Sequence, residues 1–378
     1  MTSPRITRWQ WLPNGNATFR TVLAMINAAR ASVRLEFYKF ADDKAGRKIR
    51  EALLQARYRG VKVTILVDGI GSYSLPRHFF AKLTGANSEF RVFNPITWRR
   101  FGIRNHRKLL VCDDQVACIG GFNIAREYGG DGVASGWRDL GFRFEGELVK
   151  ELGSSFDEMF ALADFRRKRL MRLWQAKRKR PVGSSGAQLL LGGPGWGTNP
   201  IRRSLYRDLR RARRVQIVAA YFLPTWRIRR ALMRIARDGG EVQLILAGKS
   251  DVRLSQLAGR SLYRRLLKSE VRISEYQPQV LHAKLIILDD AVYVGSANLD
   301  PRSLSINYEL MLRLESPEVA AAAREIFAQI QKHSRAISLE QWSASRGMWT
   351  RLKERLAYFF LVQIDPQIAG RQFKALPD

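Results

Sequence analysis

The chain has 378 residues, 46% of them hydrophobic, with 65 Lys and Arg against 34 Asp and Glu. Such length and hydrophobicity exclude a disordered or collagen-like chain and leave room for two domains or one large α/β unit. Two cysteines exclude a disulfide framework or a Cys-rich zinc site, and the formal net charge of +31 asks for a polyanionic partner: nucleic acid, an anionic membrane or a phosphate-bearing substrate.

In chain order, the N-terminal residues Met1–Pro13 carry charges together with Trp9 and Trp11 but no apolar signal region. The longest apolar runs, Val61–Val67, Val215–Leu223 and Ala357–Ile364, fall far short of the roughly 20 residues of a membrane span. The expectation is a protein of the cytosol or of the cytosolic face of a membrane. Cys112 and Cys118 are then free thiols by default, although they could meet across a hairpin centred on Gln115.

The pattern predicts a helix over Thr21–Arg30, a strand over Val33–Phe40, a helix over Ala45–Arg59 and a buried strand over Val61–Val67. The second half repeats this order: a helix over Pro200–Arg213, a strand over Val215–Tyr221, a helix over Trp226–Asp238 and a strand over Glu241–Ala247. Each half then continues through a further helix and strand to a short His-x-Lys strand, a hairpin and a long helix, Glu147–Ala163 or Pro317–Lys332. Alternation of β and α elements, duplicated, predicts two α/β sandwich domains with mixed, largely parallel sheets. The expected boundaries are 1–165 for the first domain, 166–187 for a linker, 188–335 for the second domain and 336–378 for a C-terminal tail.

Arg166–Arg180 carries nine Lys or Arg. It reads either as a solvated helix end and linker or as a polybasic patch, since Leu170, Leu173 and Trp174 interrupt it with membrane-compatible side chains. In the tail, Met348, Trp349, Leu352, Leu356, Phe359 and Phe360 recur at helical spacing, with Arg351, Lys353 and Arg355 between them. That pattern suits an interfacial amphipathic helix or a helix docked on the protein's own core. Trp98 to Arg104 runs aromatic and basic residues straight into His106, which suits a lipid interface or stacking on single strands.

The residues that carry chemistry are His106-Arg107-Lys108, ending at Asp113 and followed by Gly120-Gly121-Phe122-Asn123. The second copy is His282-Ala283-Lys284, ending at Asp289 and followed by Gly295-Ser296-Ala297-Asn298. On a strand, residues two apart share a face, so His106 and Lys108 point together, as do His282 and Lys284. Asp113 and Asp289 sit where polar hairpin turns are expected. Asn123 lies 17 residues after His106 and Asn298 16 after His282, so the second hairpin is tighter by one. His78 and His333 lack this context and read as ordinary surface residues.

The arrangement resembles the phospholipase D superfamily, whose HxKxxxxD…GSxN motif occurs once per half in pseudo-symmetric enzymes, here at 106–113 and 282–289. The run from Gly120 to Tyr128 followed by Trp137-Arg138-Asp139, and the run from Gly295 to Leu304 followed by Asn307-Tyr308-Glu309, are similar to the bacterial cardiolipin synthase branch and its short, span-free B type. Gly121 departs from the Ser of the motif, as is common in that branch. The resemblance implies two phospholipase D-like domains with the active site at their interface. It also implies phosphatidyl transfer between two phosphatidylglycerol molecules, an anionic phospholipid membrane as partner at the cytoplasmic face of the bacterial inner membrane, no nucleic acid and no cofactor.

The chemistry follows from the residue types. A phosphodiester repels nucleophiles, so a site must gather positive charge around its oxygens. Lys108 and Lys284 supply it, with Asn123, Ser296 and Asn298 as oriented donors. A neutral imidazole can attack phosphorus to give a covalent phosphohistidine, while a second imidazole serves as acid and then base. The resemblance implies His106 as nucleophile and His282 as acid/base; the near symmetry of the motifs leaves that order open. Asp139 and Glu309 are candidate acceptors for the second ring nitrogens, Asp139 reading equally as a surface carboxylate paired with Arg138. A metal is disfavoured because Lys beside each His would repel it. Two other classes stand beside the transferase: a hydrolase or nuclease of the same superfamily, and a non-catalytic basic binding protein. Oligomeric state is left open.

Overall fold

The computed structural model describes residues 6–85, 87–95, 102–163, 180–184, 186–194 and 198–365. The first half runs β1 (Arg8–Leu12), α1 (Gly15–Ala28), β2 (Ser32–Phe37), α2 (Lys44–Tyr58), β3 (Lys62–Asp68) and β4 (Ser88–Phe93). The hairpin β5 (Leu109–Cys112) and β6 (Val116–Gly120), β7 (Gly141–Glu145) and α3 (Leu148–Ala161) complete it. The second half runs β8 (Pro181–Gly183), β9 (Ala187–Gly192), α4 (Pro200–Leu209), β10 (Arg214–Ala219), α5 (Trp226–Arg237) and β11 (Glu241–Ala247). Then come α6 (Arg253–Arg260), α7 (Tyr263–Leu267), β12 (Arg272–Tyr276), the hairpin β13 (Lys284–Leu288) and β14 (Ala291–Gly295), α8 (Pro301–Ser305), β15 (Glu309–Glu315) and α9 (Pro317–Lys332). After them come β16 (Ser334–Ala336), α10 (Leu339–Ala344) and α11 (Met348–Phe359), which continues into a π-helical turn at Phe360–Ile364.

Helix starts follow their caps. Asn14 accepts from the Ala17 amide at 2.9 Å, which starts α1 at Gly15, six residues before the apolar periodicity suggests. Asp43 accepts from the amides of Ala45 and Gly46 to start α2. Asn199, Asp300 and Ser316 each cap a helix whose first residue is proline.

The first sheet has the order β1-β7-β6-β5-β2-β3-β4 and the second β16-β12-β11-β10-β13-β14-β15-β9-β8. Both are mixed, but the expected largely parallel pairing is corrected. Only β2-β3-β4 and β10-β11-β12 pair in parallel, because the hairpin strands and the strands they recruit fold back on themselves. Strand β8 also falls inside the stretch expected to be linker; residues 166–179 of that stretch, like Trp98–Phe101, lie outside the described residues.

Alternation along the hairpin strands sorts the core into layers. Leu109 and Val111 of β5, with Leu285 and Ile287 of β13, join one apolar core between the two sheets, closed by α3 and α9. Leu110 and Cys112 face the other way, toward α1 and α2. Ile286 and Leu288 face α4 and α5. Burying three such layers drives the halves together as one body. The β5–β6 turn centres on Asp113-Asp114, both at φ +54°, rather than on Gln115. Cys112 therefore pairs with Val116 and Cys118 with Leu110, and both thiols are free and buried. No helix among the described residues is long and apolar enough to cross a membrane.

Candidate active site

His106 to Lys108 form a lead-in to β5, which starts at Leu109, while His282 and Ala283 lead into β13, which starts at Lys284 itself. Each lead-in is zipped to the opposite half by backbone hydrogen bonds. The His106 amide donates to the Tyr308 carbonyl and the Tyr308 amide to the Arg104 carbonyl, both at 2.9 Å. The His282 amide donates to the Arg138 carbonyl and the Arg138 amide to the Val280 carbonyl, both at 2.8 Å. These junctions bring the next residues along, Glu309 and Asp139, beside the histidine of the other half.

The carboxylates are thus exchanged between halves. His106 Nδ1 donates to Glu309 at 3.0 and 3.2 Å, and His282 Nδ1 donates to Asp139 Oδ2 at 2.7 Å. Glu309 and Asp139 are fully buried, which removes the reading of Asp139 as a surface carboxylate. With Nδ1 committed as donor, each Nε2 keeps its lone pair for chemistry.

Lys108 and Lys284 fold back onto their own histidines. Lys108 Nζ donates to the His106 carbonyl at 2.6 Å and stands 5.4 Å over the Tyr38 ring. Lys284 Nζ donates to the His282 carbonyl and lies 3.0 and 3.3 Å from that ring's two nitrogens. Burial pushes the Lys108 ammonium down to about 7, against the pull of Glu309, and lowers Lys284 against the pull of Asp139. Burial also depresses His106, with Glu309 opposing, and holds His282 well below its ordinary value, with Lys284 reinforcing. It raises the Asp139 carboxyl to about 7. Both imidazoles rest neutral until an anion joins them.

Two asymmetries distinguish the copies. Ser296 donates its hydroxyl to Glu309 Oε2 and accepts from the Leu310 amide at 3.0 Å, so it fixes the carboxylate rather than standing free as a phosphate donor. At the matching position a Cβ on Gly121 would lie 2.3 Å from Asp139 Oδ1, so only glycine admits the shorter carboxylate there. Asn123 is likewise committed, accepting from the Lys39 amide at 3.0 Å and donating to the Tyr128 hydroxyl at 2.9 Å. Asn298 is buried, and its Oδ1 has no partner among the described residues. Of the three expected donors it is the one with an uncommitted amide.

Asp113 and Asp289 stand at the far ends of β5 and β13 from the histidines. Asp113 accepts from the amides of Arg30, Ala31 and Ser32 at 2.8 to 2.9 Å, and Asp289 from those of Arg213 and Arg214. They anchor the entry to β2 and β10, as their turn positions suggest. Sequence reasoning missed the aromatic frame. Tyr38 packs 5.0 Å from His106, while Tyr128 and Trp137 pack 5.2 and 5.6 Å from His282. Tyr128 and Trp137 stand in the runs that follow the first motif, which was the available signal, whereas Tyr38 lies 68 residues before His106 and carried none.

The model of the family described as cardiolipin synthase, phospholipase D-like domain, matches residues 22–130 and 205–331, one motif copy in each span. The chain is 33% identical over 360 residues to a cardiolipin synthase B of Salmonella typhi, covering 93% of this chain and 87% of that one. The chain belongs to the cardiolipin synthase family. A cardiolipin synthase 1 of Bacillus cereus is 30% identical over 373 residues, covering 95% of this chain and 72% of its own length. The crystal structure of a phosphatidylserine synthase from Haemophilus influenzae shares the fold at a TM-score of 0.73 and 14% identity, over 96% of each chain. Within the cardiolipin synthase family, Gly121 has here a local reason: it makes room for Asp139.

Proposed function

We propose that this enzyme transfers a phosphatidyl group from phosphatidylglycerol to His106 and then to a second phosphatidylglycerol, forming cardiolipin and releasing glycerol. The observation that carries the reading is the exchanged pairing of two histidines with two fully buried carboxylates around two lysines. Nε2 of His106 attacks phosphorus, the bond to the glycerol oxygen breaks, and His282 gives its proton to that oxygen. His282 then takes the proton of the incoming hydroxyl, whose oxygen displaces His106 and closes the cycle. Lys108, Lys284 and the Asn298 amide hold the nonbridging oxygens as charge develops.

Charge balance supports this order. The phosphodiester brings the negative charge that lets one imidazole be protonated. His282, held well below its ordinary value by burial and Lys284 in the free enzyme, takes that proton only with the phosphodiester bound, beside an Asp139 carboxyl at about 7. His106 is the more open of the two, 13% exposed against 4%, and its carboxylate is fixed by Ser296. The outward apolar residues of α11 support peripheral attachment to a membrane surface, which we read as the cytoplasmic face of the inner membrane. Ala357 packs with Leu223 and Ala258, while Met348, Trp349, Leu352, Leu356, Phe359 and Phe360 face outward.

Incubating the purified protein with phosphatidylglycerol vesicles and EDTA, with products read by lipid mass spectrometry, tests the reaction. Cardiolipin with free glycerol is expected. Phosphatidic acid would make it a hydrolase, and an unchanged product pattern in His106→Ala would refute the scheme.

A further inference from the structure

The helix layer outside the second sheet carries an arginine field that the reaction does not use. Residues 200–238 contain twelve arginines and two aspartates. One of the two, Asp208, is spent inside: it accepts from the Tyr293 hydroxyl and from Arg313 Nε at 2.6 Å. Between α4 and α5 lies an open groove of about 990 Å³ lined by Arg202, Arg203, Arg207, Arg210, Arg227 and Trp226. Arg202, Arg203, Arg210 and Arg227 have no acidic partner among the described residues. Trp226 is 58% exposed with the Arg230 guanidinium 5.3 Å over its ring.

Topology sets one end of this groove, at Trp226 and Arg227, at the same end of the sheet as the histidines, and the groove runs from there along α4 to Arg210. The last residue of β10, Ala219, pairs with Lys284, and the chain passes Tyr221, 6.4 Å from the His282 ring, before α5 begins at Trp226. Helix α6 follows β11 at that end, and α11 docks there through Ala357 against Ala258 and Leu223. The Arg229 guanidinium, 5.5 Å over the Tyr358 ring, ties α5 to α11. The groove, Trp226 and the outward apolar residues of α11 therefore belong to one surface.

We propose that the α4–α5 groove binds the headgroup phosphates of anionic phospholipids at a bilayer surface, beside an inserted α11, and so holds the mouth of the active site against the membrane. The inference rests on the phospholipid reading of that site. Guanidinium forks match phosphate oxygens in pairs. An exposed tryptophan suits headgroup depth. The neighbouring apolar helix face needs hydrocarbon, which a nucleic acid would not offer it.

Flotation with vesicles of phosphatidylglycerol in phosphatidylcholine, against phosphatidylcholine alone, tests the groove independently of turnover. Replacing Arg202, Arg203, Arg210 and Arg227 by Gln should weaken binding by about fivefold per arginine, several-hundred-fold together, at low salt. Lysine at the same four positions should keep the charge-dependent part of the affinity and lose the paired contacts, so that it binds between wild type and the Gln variant. Turnover of phosphatidylglycerol dispersed in detergent micelles should survive the Gln changes, so loss of vesicle binding is separable from any failure of the proposed reaction. Should the fourfold variant not fold, Arg203→Gln with Arg227→Gln should still cost about 25-fold. Undiminished flotation of the Gln variants would overturn the proposal. So would release of the wild-type protein from vesicles by millimolar inorganic phosphate, which would mark a free-anion site. Equally tight binding of a single-stranded oligonucleotide that displaces the vesicles would assign the groove to nucleic acid.

Discussion

Asp139 Oδ2 lies 2.7 Å from His282 Nδ1 across 143 residues of chain, so the carboxylate that orients the second motif's histidine is built by the first half. Glu309 returns the relationship to His106 across 203 residues. Neither half contains a complete histidine–carboxylate pair, so in the proposed reaction association of the halves completes the site as well as burying the core between them.

The exchange predicts that each carboxylate substitution copies the defect of the distant histidine. Asp139→Asn and Glu309→Gln should each lower kcat by about 10²- to 10⁴-fold, the range seen when a buried carboxylate stops fixing a catalytic tautomer. A substrate with a nitrophenol leaving group needs no proton on departure. Burst formation from it should recover in Asp139→Asn and in His282→Ala, but not in Glu309→Gln. Recovery in the opposite pair would reverse the roles of the two histidines.

The asymmetry at the small residues predicts opposite sensitivities. Gly121→Ser puts a Cβ 2.3 Å from Asp139 Oδ1 and should displace that carboxylate, lowering kcat by at least about tenfold. Ser296→Gly removes the hydroxyl held by Glu309 and should cost a similar factor through His106. Stopped-flow burst and steady-state phases would separate the two; equal turnover of Gly121→Ser and wild type would contradict the close approach.

The lysines predict the alkaline limb. Lys108, lowered to about 7 by burial, is charged below that pH and loses its charge above it, so the free enzyme should lose phosphate affinity as pH rises. A bound phosphodiester favours the ammonium, so kcat should fall only at higher pH than kcat/KM. His106, depressed from its ordinary value, stays neutral to a pH below 6.5, which extends the acid limb downward. Steady-state profiles of both constants check this; coincident alkaline limbs would mean that Lys108 does not titrate near neutrality.

Asp113 and Asp289 predict stability without chemistry. Removing the acceptor of three amides in Asp113→Ala should destabilise by about 1–3 kcal/mol. Turnover per folded molecule, measured below the melting transition, should stay within a few-fold of wild type. A kcat loss comparable to that of His106→Ala would return Asp113 to the reacting centre.

The motif residues were legible because a duplicated His-x-Lys with a downstream Asn is a chemical pattern that packing does not produce. The repeat likewise foretold two α/β units, since βαβ alternation leaves few other solutions. Strand direction was not legible: a buried strand has the same apolar run whether its neighbour is parallel or antiparallel, and the hairpins turned most pairs antiparallel. Glu309 and Asp139 stood out as candidates, but their exchange depends on backbone bonds between His106 and Tyr308 and between His282 and Arg138. No local pattern encodes those. Nor did the motif say that Ser296 and Asn123 would be spent on protein partners.

Trapping the covalent intermediate tests the central claim most directly. His282→Ala, mixed with a phosphatidyl ester of nitrophenol and quenched rapidly in base, should yield one acid-labile phosphatidyl adduct on the peptide containing His106. The same experiment with His106→Ala should yield none. An adduct on His282, or none in either variant while product still forms, would contradict transfer through His106.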